Sequence, residues 1–346
     1  MKRVATLVVT LVATVVGGCS SSAPPASTAS QPAVVAAPPV ATGKGTVVKT
    51  RLASEALGVT KDVVVYLPAG YDTSGLRYPV FYYLHGLGGD ETNWVEAGKL
   101  DQAADALGLQ AIIVMPDGDD SFYVDSPRTI DYDACLKEGT GLFFPERPRQ
   151  ATCVRGMRYE TYITRDLVGW VDRTYRTIAT REGRSIAGLS MGGFGALQLA
   201  MRHPEQFAAA ASHSGVASLL YEGPSPYVPG KAQLVTNVAT WGGRLGPLGA
   251  WMRGLFGPDL ATWQGYDPAF LVATLEPDRP ALYLDCGTED LFLLHNHAAY
   301  VHDLLRARKL EHEFYVGPGR HDFTFWTPRL PHSLRFLRDK SAQPTR

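Results

Sequence analysis

Short apolar runs alternate with longer helix-like segments through most of the chain. The runs are hydrophobic throughout, as expected for strands of a sheet that is covered on both faces. Strands that alternate with helices in this way are typical of parallel strands joined by helical crossovers. The pattern predicts strands over 79–85, 111–116, 184–190, 207–215, 281–286 and 311–317, and helices over 92–108, 158–175, 191–202, 292–308 and 328–338.

Four further stretches stand outside this alternation. Residues 46–54 and 61–68 come before it and are rich in β-forming residues, so they predict a pair of antiparallel opening strands. Residues 117–157 and 217–279 interrupt it and are rich in glycine, proline and aromatic residues. Long irregular segments in compact domains are usually lids or binding loops. We therefore expect these two segments to build a substrate pocket.

The N-terminus has the layout of a secretory signal. Lys2 and Arg3 precede an apolar run, and small residues lead to Cys19. The stretch VGGC resembles a bacterial lipobox, in which the cysteine is lipidated and becomes the mature N-terminus. We expect a lipoprotein-type signal peptide over 1–18, export to the cell envelope and a lipid anchor on Cys19 that holds the protein to a membrane. Ordinary secretion, with Cys19 incidental, is the alternative.

The amino-acid composition after the signal peptide indicates how the rest of the chain is organised. Residues 19–43 contain mainly serine, proline, alanine and threonine without charge, which predicts a disordered tether. The remaining chain is predicted to form one catalytic domain over 44–340 and a short tail over 341–346. The 33 basic and 34 acidic residues are spread without long blocks of like charge, so nothing indicates nucleic-acid binding.

Export would place the cysteines in an oxidising compartment, where disulfides can form. Cys135 and Cys153 flank a loop rich in glycine, proline and arginine, and we expect them to form a disulfide. Cys286 lies in the apolar run ALYLDCG and is interpreted as a buried small hydrophobic residue rather than a nucleophile.

A nucleophile motif lies at one junction of strand and helix. Residues 188–193 read GLSMGG and match G-x-S-x-G between a predicted strand and a predicted helix. The sharp turn that this motif forms holds the serine above the sheet and requires glycine on both sides. Ser190 is therefore the predicted nucleophile, and the helix that begins at Met191 directs free N–H groups toward the same point.

A serine nucleophile needs a histidine base and a carboxylate that orients the histidine. His321 follows the last predicted strand in a turn and is the predicted base. The strand end LYLDCGTED leaves Asp285, Glu289 and Asp290 as candidates for the carboxylate. Asp290 is preferred because it lies beyond the carboxyl end of its strand, where active sites of α/β proteins are found. Glu289 remains the alternative.

Four further histidines are not assigned a catalytic role. His295, His297, His302 and His312 fall in or beside the predicted helix and strand and are interpreted as solvated or structural. Histidines at i and i+2 do not share a helix face, so HNH at 295–297 predicts no metal site. No cofactor motif is present in the sequence.

The loop YLHGLGGDETNW follows an earlier predicted strand and supplies a second oxyanion donor. The backbone N–H groups of Leu87 and Met191 form the predicted oxyanion hole. His85, at the start of this loop, either braces the loop or binds substrate.

Together these motifs resemble the esterase D-like branch of the α/β-hydrolases, which includes S-formylglutathione hydrolases, feruloyl esterases and the antigen 85 mycolyltransferases. The matching segments are YLHGLGGDETNW, MPDGDDSFYVD, GLSMGGFGALQLAMRHPEQFAAAASHSG, DCGTEDLF and GRHDFTFW, in family order. The resemblance implies an α/β-hydrolase fold, with a mostly parallel central sheet, helices on both faces and inserted lid loops. It also implies the same roles for Ser190, Asp290, His321, Leu87 and Met191.

The expected function is a serine esterase that hydrolyses a small-molecule, carbohydrate or lipid ester through an acyl-enzyme. The alternative within enzymes is an acyltransferase that moves an acyl group to a sugar or lipid. A binding module without activity on the same fold is a third interpretation. The aromatic residues of the second lid segment either line an acyl or aryl pocket or serve ordinary packing, namely Trp241, Trp251, Trp263 and Tyr266.

Overall fold

The computed structural model describes residues 43–139, 148–243 and 246–346. The predicted signal peptide over 1–18, the predicted lipid anchor on Cys19 and all of the predicted tether except Gly43 lie outside the described residues. Within the described part of the chain, none of the helices is long and apolar enough to cross a bilayer.

An eight-stranded sheet forms the centre of the domain, with the strand order β1-β2-β4-β3-β5-β6-β9-β10. The first two strands pair antiparallel with each other, and β2 is also antiparallel to β4, whereas all other pairs are parallel. The strands of this sheet are β1 (Thr46–Ser54), β2 (Val59–Leu67), β3 (Val80–Leu84), β4 (Ile112–Pro116), β5 (Arg184–Leu189), β6 (Ala209–His213), β9 (Ala281–Gly287) and β10 (Glu313–Gly317), and β7 (Tyr221–Gly223) pairs with β8 (Gln233–Leu234) in a separate ribbon. The predicted parallel core and antiparallel opening strands are confirmed.

Helices connect the strands on both faces of the sheet. They are α1 (Tyr71–Ser74), α2 (Asn93–Glu96), α3 (Leu100–Ala106), α4 (Tyr132–Glu138), α5 (Arg149–Thr152), α6 (Tyr159–Thr161), α7 (Val168–Thr174), α8 (Met191–Arg202), α9 (Pro247–Phe256), α10 (Leu260–Tyr266), α11 (Pro268–Leu271), α12 (Leu294–Ala307) and α13 (Phe323–Lys340). A π-helical stretch, Tyr162–Leu167, joins α6 to α7, and 3-10 turns lie at Arg181–Gly183, Val238–Thr240 and Val272–Thr274.

Two predicted helices differ from the observed ones. The helix predicted over 92–108 is divided into α2 and α3, because Lys99 has a positive φ of 56°. The last helix begins at Phe323 rather than at 328, since the carboxylate of Asp322 accepts the N–H of Thr324 at 2.8 Å and caps the helix there.

The sheet separates two hydrophobic layers. Alternate residues of β3 contribute to each: Tyr82 and Leu84 pack in the layer that contains α8, whereas Phe81 and Tyr83 pack in the layer that contains α13. Burial on both faces explains the continuous apolar runs of the central strands. Strand β10 departs from this pattern, because it lies at the edge of the sheet and alternates between exposed and half-buried positions.

The predicted disulfide is present between Cys135 and Cys153, which are 18 residues apart in the chain. It joins the middle of α4 to the residue that follows α5 in the first lid segment. Closing a loop of this size stabilises the folded state by about 3 kcal/mol in the chain-entropy model. Near the other end of the chain, Thr345 exchanges two backbone hydrogen bonds with Arg77, so the predicted tail pairs with the domain.

Candidate active site

The G-x-S-x-G segment forms a tight turn between β5 and α8. Ser190 has φ 53° and ψ −117°, a backbone conformation that residues other than glycine rarely adopt. The turn is held by the Ser190 N–H, which donates to the carbonyl of His213 at 2.9 Å. A Cβ atom on Gly188 would lie 2.2 Å from the carbonyl oxygen of Gly192, so only glycine fits there. Ser190 is thereby raised above the carboxyl end of the sheet.

Three sequence-predicted side chains meet at this turn. The Oγ atom of Ser190 lies 2.9 Å from Nε2 of His321, and Nδ1 of His321 lies 2.6 Å from Oδ2 of Asp290. An ionised carboxylate only accepts hydrogen bonds, so Nδ1 carries the hydrogen and Nε2 accepts from the serine hydroxyl. The geometry is that of a nucleophile, a base and an orienting acid.

The environment of Asp290 favours the ionised carboxylate. Its other oxygen accepts the N–H of Phe292 at 2.8 Å, and the Cys286 thiol lies 3.6 Å from Oδ2. Burial alone would raise the pKa of Asp290, but the hydrogen bond and charge of His321 outweigh burial and hold that pKa below its ordinary value. Burial also raises the pKa of the Cys286 thiol, so no thiolate forms beside Asp290.

The alternative acid, Glu289, points away from the site. Its side chain is 58% exposed and lies 3.6 Å from Arg320, whereas the side chain of Asp290 is completely buried. Two backbone hydrogen bonds decide this orientation: Thr288 donates to the carbonyl of Gly317 and Glu289 donates to that of Gly319, both at 2.8 Å. They bring the loop after β9 against the loop after β10, which carries His321.

Asp285 belongs to a second, separate network below the sheet end. It accepts hydrogen bonds from Nδ1 of His213 at 2.9 Å, from Tyr283 at 2.7 Å and from Arg329 at 3.0 Å, and Nε2 of His213 lies 2.9 Å from the Ser333 hydroxyl. This serine, histidine and aspartate resemble the first set in their contacts. His213, Asp285 and Ser333 are all buried, so no substrate can reach them.

The two predicted oxyanion donors lie beside Ser190. Leu87 and Met191 both line the cavity that contains the serine. In the part of the chain that the structure describes, no protein group accepts a hydrogen bond from either backbone N–H. The loop that carries Leu87 is held on its far side, where Gly88 donates its N–H to Oδ1 of Asp120 at 2.7 Å.

His85 braces this loop and does not reach the cavity. Its Nε2 accepts the N–H of Gly118 at 2.8 Å, so Nδ1 carries the hydrogen and donates to the carbonyl of Gly86 at 2.8 Å. The ring is buried and is absent from the cavity lining. Of the two interpretations of His85, the structure supports the brace.

Buried charged residues that were not predicted from the sequence support the oxyanion loop from below. Lys61 is fully buried and lies 2.9 Å from Asp117 and 2.7 Å from Asp119. Burial also raises the pKa of Asp120, the partner of Gly88, to about 6. The segment MPDGDDSFY could have indicated these acidic residues, because they directly follow the carboxyl end of β4. Active sites of α/β proteins form at that end of the strands.

A cavity of about 660 Å³ opens above Ser190 and His321, within the range of ligand pockets. Its wall is mainly apolar and comes from the oxyanion loop, the second lid segment and residues 291–294. The first lid segment contributes Phe122. The structure separates the two interpretations of the four lid aromatics. Trp241 lines the cavity. The other three serve packing: Trp263 and Tyr266 lie in the buried core, and Trp251 packs against Arg128 and donates to the carbonyl of Asp120.

The histidines in and near α12 differ in whether they line the cavity. His302 and His312 hydrogen-bond to each other at 2.7 Å, and His302 stacks on Phe314, as expected for structural residues. His297 hydrogen-bonds to the carbonyl of Ser218, which agrees with a structural role, and it also lines the cavity. His297 reaches the cavity from the first turn of α12. No local sequence pattern indicated this position.

The model of a family described as "Putative esterase" matches residues 54–337. An esterase of Mycobacterium tuberculosis is 36% identical over 169 residues, 49% of this chain and 32% of that protein. The diacylglycerol acyltransferase/mycolyltransferase Ag85A of Mycobacterium bovis is 27% identical over 267 residues, 75% of this chain and 69% of that protein.

A solved structure of a ferulic acid esterase superposes with a TM-score of 0.60 and 24% identity, covering 86% of this chain and 98% of that structure. This likeness shows the fold, an α/β-hydrolase with a mostly parallel sheet, as the motifs predicted. The chain spans about a third of the length of the tuberculosis esterase, which therefore carries further segments.

Proposed function

Since this chain belongs to that esterase family, we propose that it is a serine esterase of the cell envelope that hydrolyses carboxylic esters through an acyl-enzyme. The observation that carries the proposal is the continuous hydrogen-bonded path from Asp290 through His321 to Ser190, at 2.6 and 2.9 Å. This path ends at a serine that lies in an apolar cavity beside two backbone N–H groups that have no protein partner among the described residues.

The reaction proceeds in two halves. His321 Nε2 takes the proton of Ser190 as Oγ attacks the ester carbonyl carbon, and the carbonyl oxygen becomes an oxyanion that accepts hydrogen bonds from Leu87 and Met191. The imidazolium then donates its proton to the leaving alkoxide, and an acyl-serine remains. In the second half water loses a proton to His321 and attacks the acyl group, and Ser190 recovers its proton as the acid departs.

An acyltransferase would use the same first half and an alcohol in place of water in the second. The mycolyltransferase relative covers three quarters of the chain, so this alternative rests on a specific likeness. Product partition separates the two: the enzyme is incubated with p-nitrophenyl butyrate and increasing glycerol, with Ser190→Ala as the blank. We expect free butyrate as the main product at every glycerol concentration. Butyryl glycerol as the main product at millimolar glycerol would contradict hydrolysis and identify a transferase.

The proposed location depends on Cys19. A lipid on this cysteine would hold the domain at a membrane through the stretch over 19–43. In a bacterial host, the native chain should fractionate with membranes and incorporate radiolabelled palmitate, and Cys19→Ala should lose the label and appear in the soluble fraction. Identical fractionation and equal labelling of the two proteins would rule out the anchor.

A further inference from the structure

Most polar hydrogens of the cavity wall are already committed to protein acceptors. The indole N–H of Trp241 donates to the carbonyl of Leu219 at 2.7 Å, and that of Trp326 donates to Ser214 at 3.1 Å. The hydroxyl of Ser218 donates to Asp267 at 2.9 Å, and that of Tyr221 donates to a backbone carbonyl. Apart from the oxyanion amides, a bound ester therefore meets few free donors among the described residues.

Acceptors, in contrast, remain available, and His297 offers the best-defined one. Its Nδ1 lies 2.8 Å from the carbonyl oxygen of Ser218. A carbonyl oxygen can only accept, so Nδ1 carries the hydrogen and Nε2 presents a lone pair. Within the described part of the chain no group donates to this Nε2, and the ring lines the cavity.

The surroundings of His297 keep the ring neutral. Burial lowers its pKa to about 4, because the hydrogen bond to Ser218 and the charge of Asp290 offset only part of the effect of burial. The ring packs against Tyr221 with the centroids 5.1 Å apart, which fixes its orientation. A neutral, oriented imidazole is a hydrogen-bond acceptor throughout the pH range in which a serine esterase operates.

His297 lines the same cavity as Ser190 and His321, and it is near enough to Asp290 for that carboxylate to act on its pKa. It lies in the first turn of α12, which begins four residues after Asp290, and Leu294 of the same turn lines the cavity. A substrate whose ester group lies at Ser190 can therefore extend to His297 within the same cavity. A hydrocarbon chain beside His297 would exclude water and leave Nε2 without a hydrogen-bond donor, which costs free energy. A hydroxyl at the same position would donate a hydrogen bond to Nε2.

We propose that His297 is a specificity-determining residue whose Nε2 accepts a hydrogen bond from a hydroxyl of the substrate, so that the preferred esters carry a hydroxyl near the ester group. This inference rests on the proposed esterase function. The hydroxyl can come from the acyl chain, as in a 3-hydroxyacyl ester, or from the alcohol, as in a glycerol ester. The chemistry that His297 recognises, an O–H donor, is the same in both.

Matched substrate pairs test the preference in the native enzyme. The first pair is p-nitrophenyl 3-hydroxybutyrate and p-nitrophenyl butyrate, and the second is glycerol monobutyrate and propyl butyrate. We expect kcat/KM to favour the hydroxylated member of one pair by about tenfold, the effect of one buried neutral hydrogen bond. The pair that shows the preference identifies the source of the hydroxyl. Ratios near one in both pairs would overturn the inference.

Two variants then separate recognition from a structural role of His297. In His297→Asn the amide can still donate to Ser218 but has no acceptor at the position of Nε2. In His297→Gln the amide oxygen can reach that position, but the bond to Ser218 is lost. If His297 recognises the hydroxyl, His297→Gln keeps the preference and His297→Asn loses it. The reverse result would show that the ring only braces the lid and would refute the proposal.

Glu222 provides the matched control, because it lines the same cavity and is exposed. Glu222→Gln should keep the preference for the hydroxylated ester, and its loss there with retention in His297→Asn would assign recognition to Glu222 instead. Turnover of p-nitrophenyl butyrate that depends on Ser190 is measured for every variant. It tests the proposed esterase function separately, since that turnover does not depend on the hydroxyl preference.

Discussion

Ser190→Ala should reduce kcat/KM for p-nitrophenyl butyrate by a factor on the order of 10⁵ while leaving the melting temperature nearly unchanged. Among the described residues the hydroxyl hydrogen-bonds to His321, at 2.9 Å, so its removal costs little packing. It is also the only atom proposed to form the covalent bond. The turn itself depends on the backbone N–H of Ser190, which alanine retains. Initial rates and thermal unfolding of the purified proteins measure both quantities.

The second serine, histidine and aspartate network supplies an internal control. Ser333→Ala removes a hydroxyl 2.9 Å from Nε2 of His213 and leaves a buried imidazole nitrogen without that partner. We expect activity within about threefold of the native enzyme and a loss of stability of about 1 to 3 kcal/mol. The two variants should thus show opposite effects. Equal losses of activity would mean that Ser190 owes its effect to structure rather than chemistry.

Labelling with a fluorophosphonate addresses the remaining interpretation, a binding module without activity. Such probes phosphonylate a serine only where a base takes its proton and the developing oxyanion is stabilised. The native chain and Ser333→Ala should both be labelled, and Ser190→Ala should not. An unlabelled native chain would indicate that the fold serves binding alone.

Asp290→Asn should lower kcat/KM by a factor on the order of 10⁴. The amide can present its N–H₂ group to Nδ1 of His321, in which case Nδ1 becomes the acceptor and Nε2 carries the hydrogen. A protonated Nε2 cannot take the proton of Ser190. The other oxygen still accepts the N–H of Phe292, so the loop should stay in place. Steady-state kinetics with the same ester provide the measurement.

Glu289→Gln is the matched control for this change. Its side chain is exposed and lies 3.6 Å from Arg320, an ion pair that contributes little at the surface. We expect activity within about twofold of native and an unchanged melting temperature. If Glu289→Gln were the more damaging substitution, the acid would have been assigned to the wrong neighbour.

Local sequence was sufficient for the nucleophile and the framework. The apolar runs predicted the parallel sheet because burial on both faces demands it. GLSMGG predicted the turn because Gly188 and Gly192 are in contact there and admit no side chain. Ser190 and the N-terminus of α8 are then placed by residues that are adjacent in the chain. Periodicity and turn chemistry act over a few residues, so a single sequence contains them.

Tertiary structure decided everything that depends on two distant segments meeting. Glu289 and Asp290 are neighbours of the same chemical type, and the hydrogen bonds of residues 288 and 289 to the carbonyls of Gly317 and Gly319 hold the loop in which Asp290 faces His321. The same holds for His297, which faces the cavity because its Nδ1 reaches Ser218 in the second lid segment. A side chain's direction after a turn is set by such long-range contacts, which local propensities do not encode. The sequence alone thus determined the fold class and the nucleophile, and the packing of remote loops decided which acid and which wall residue serve it.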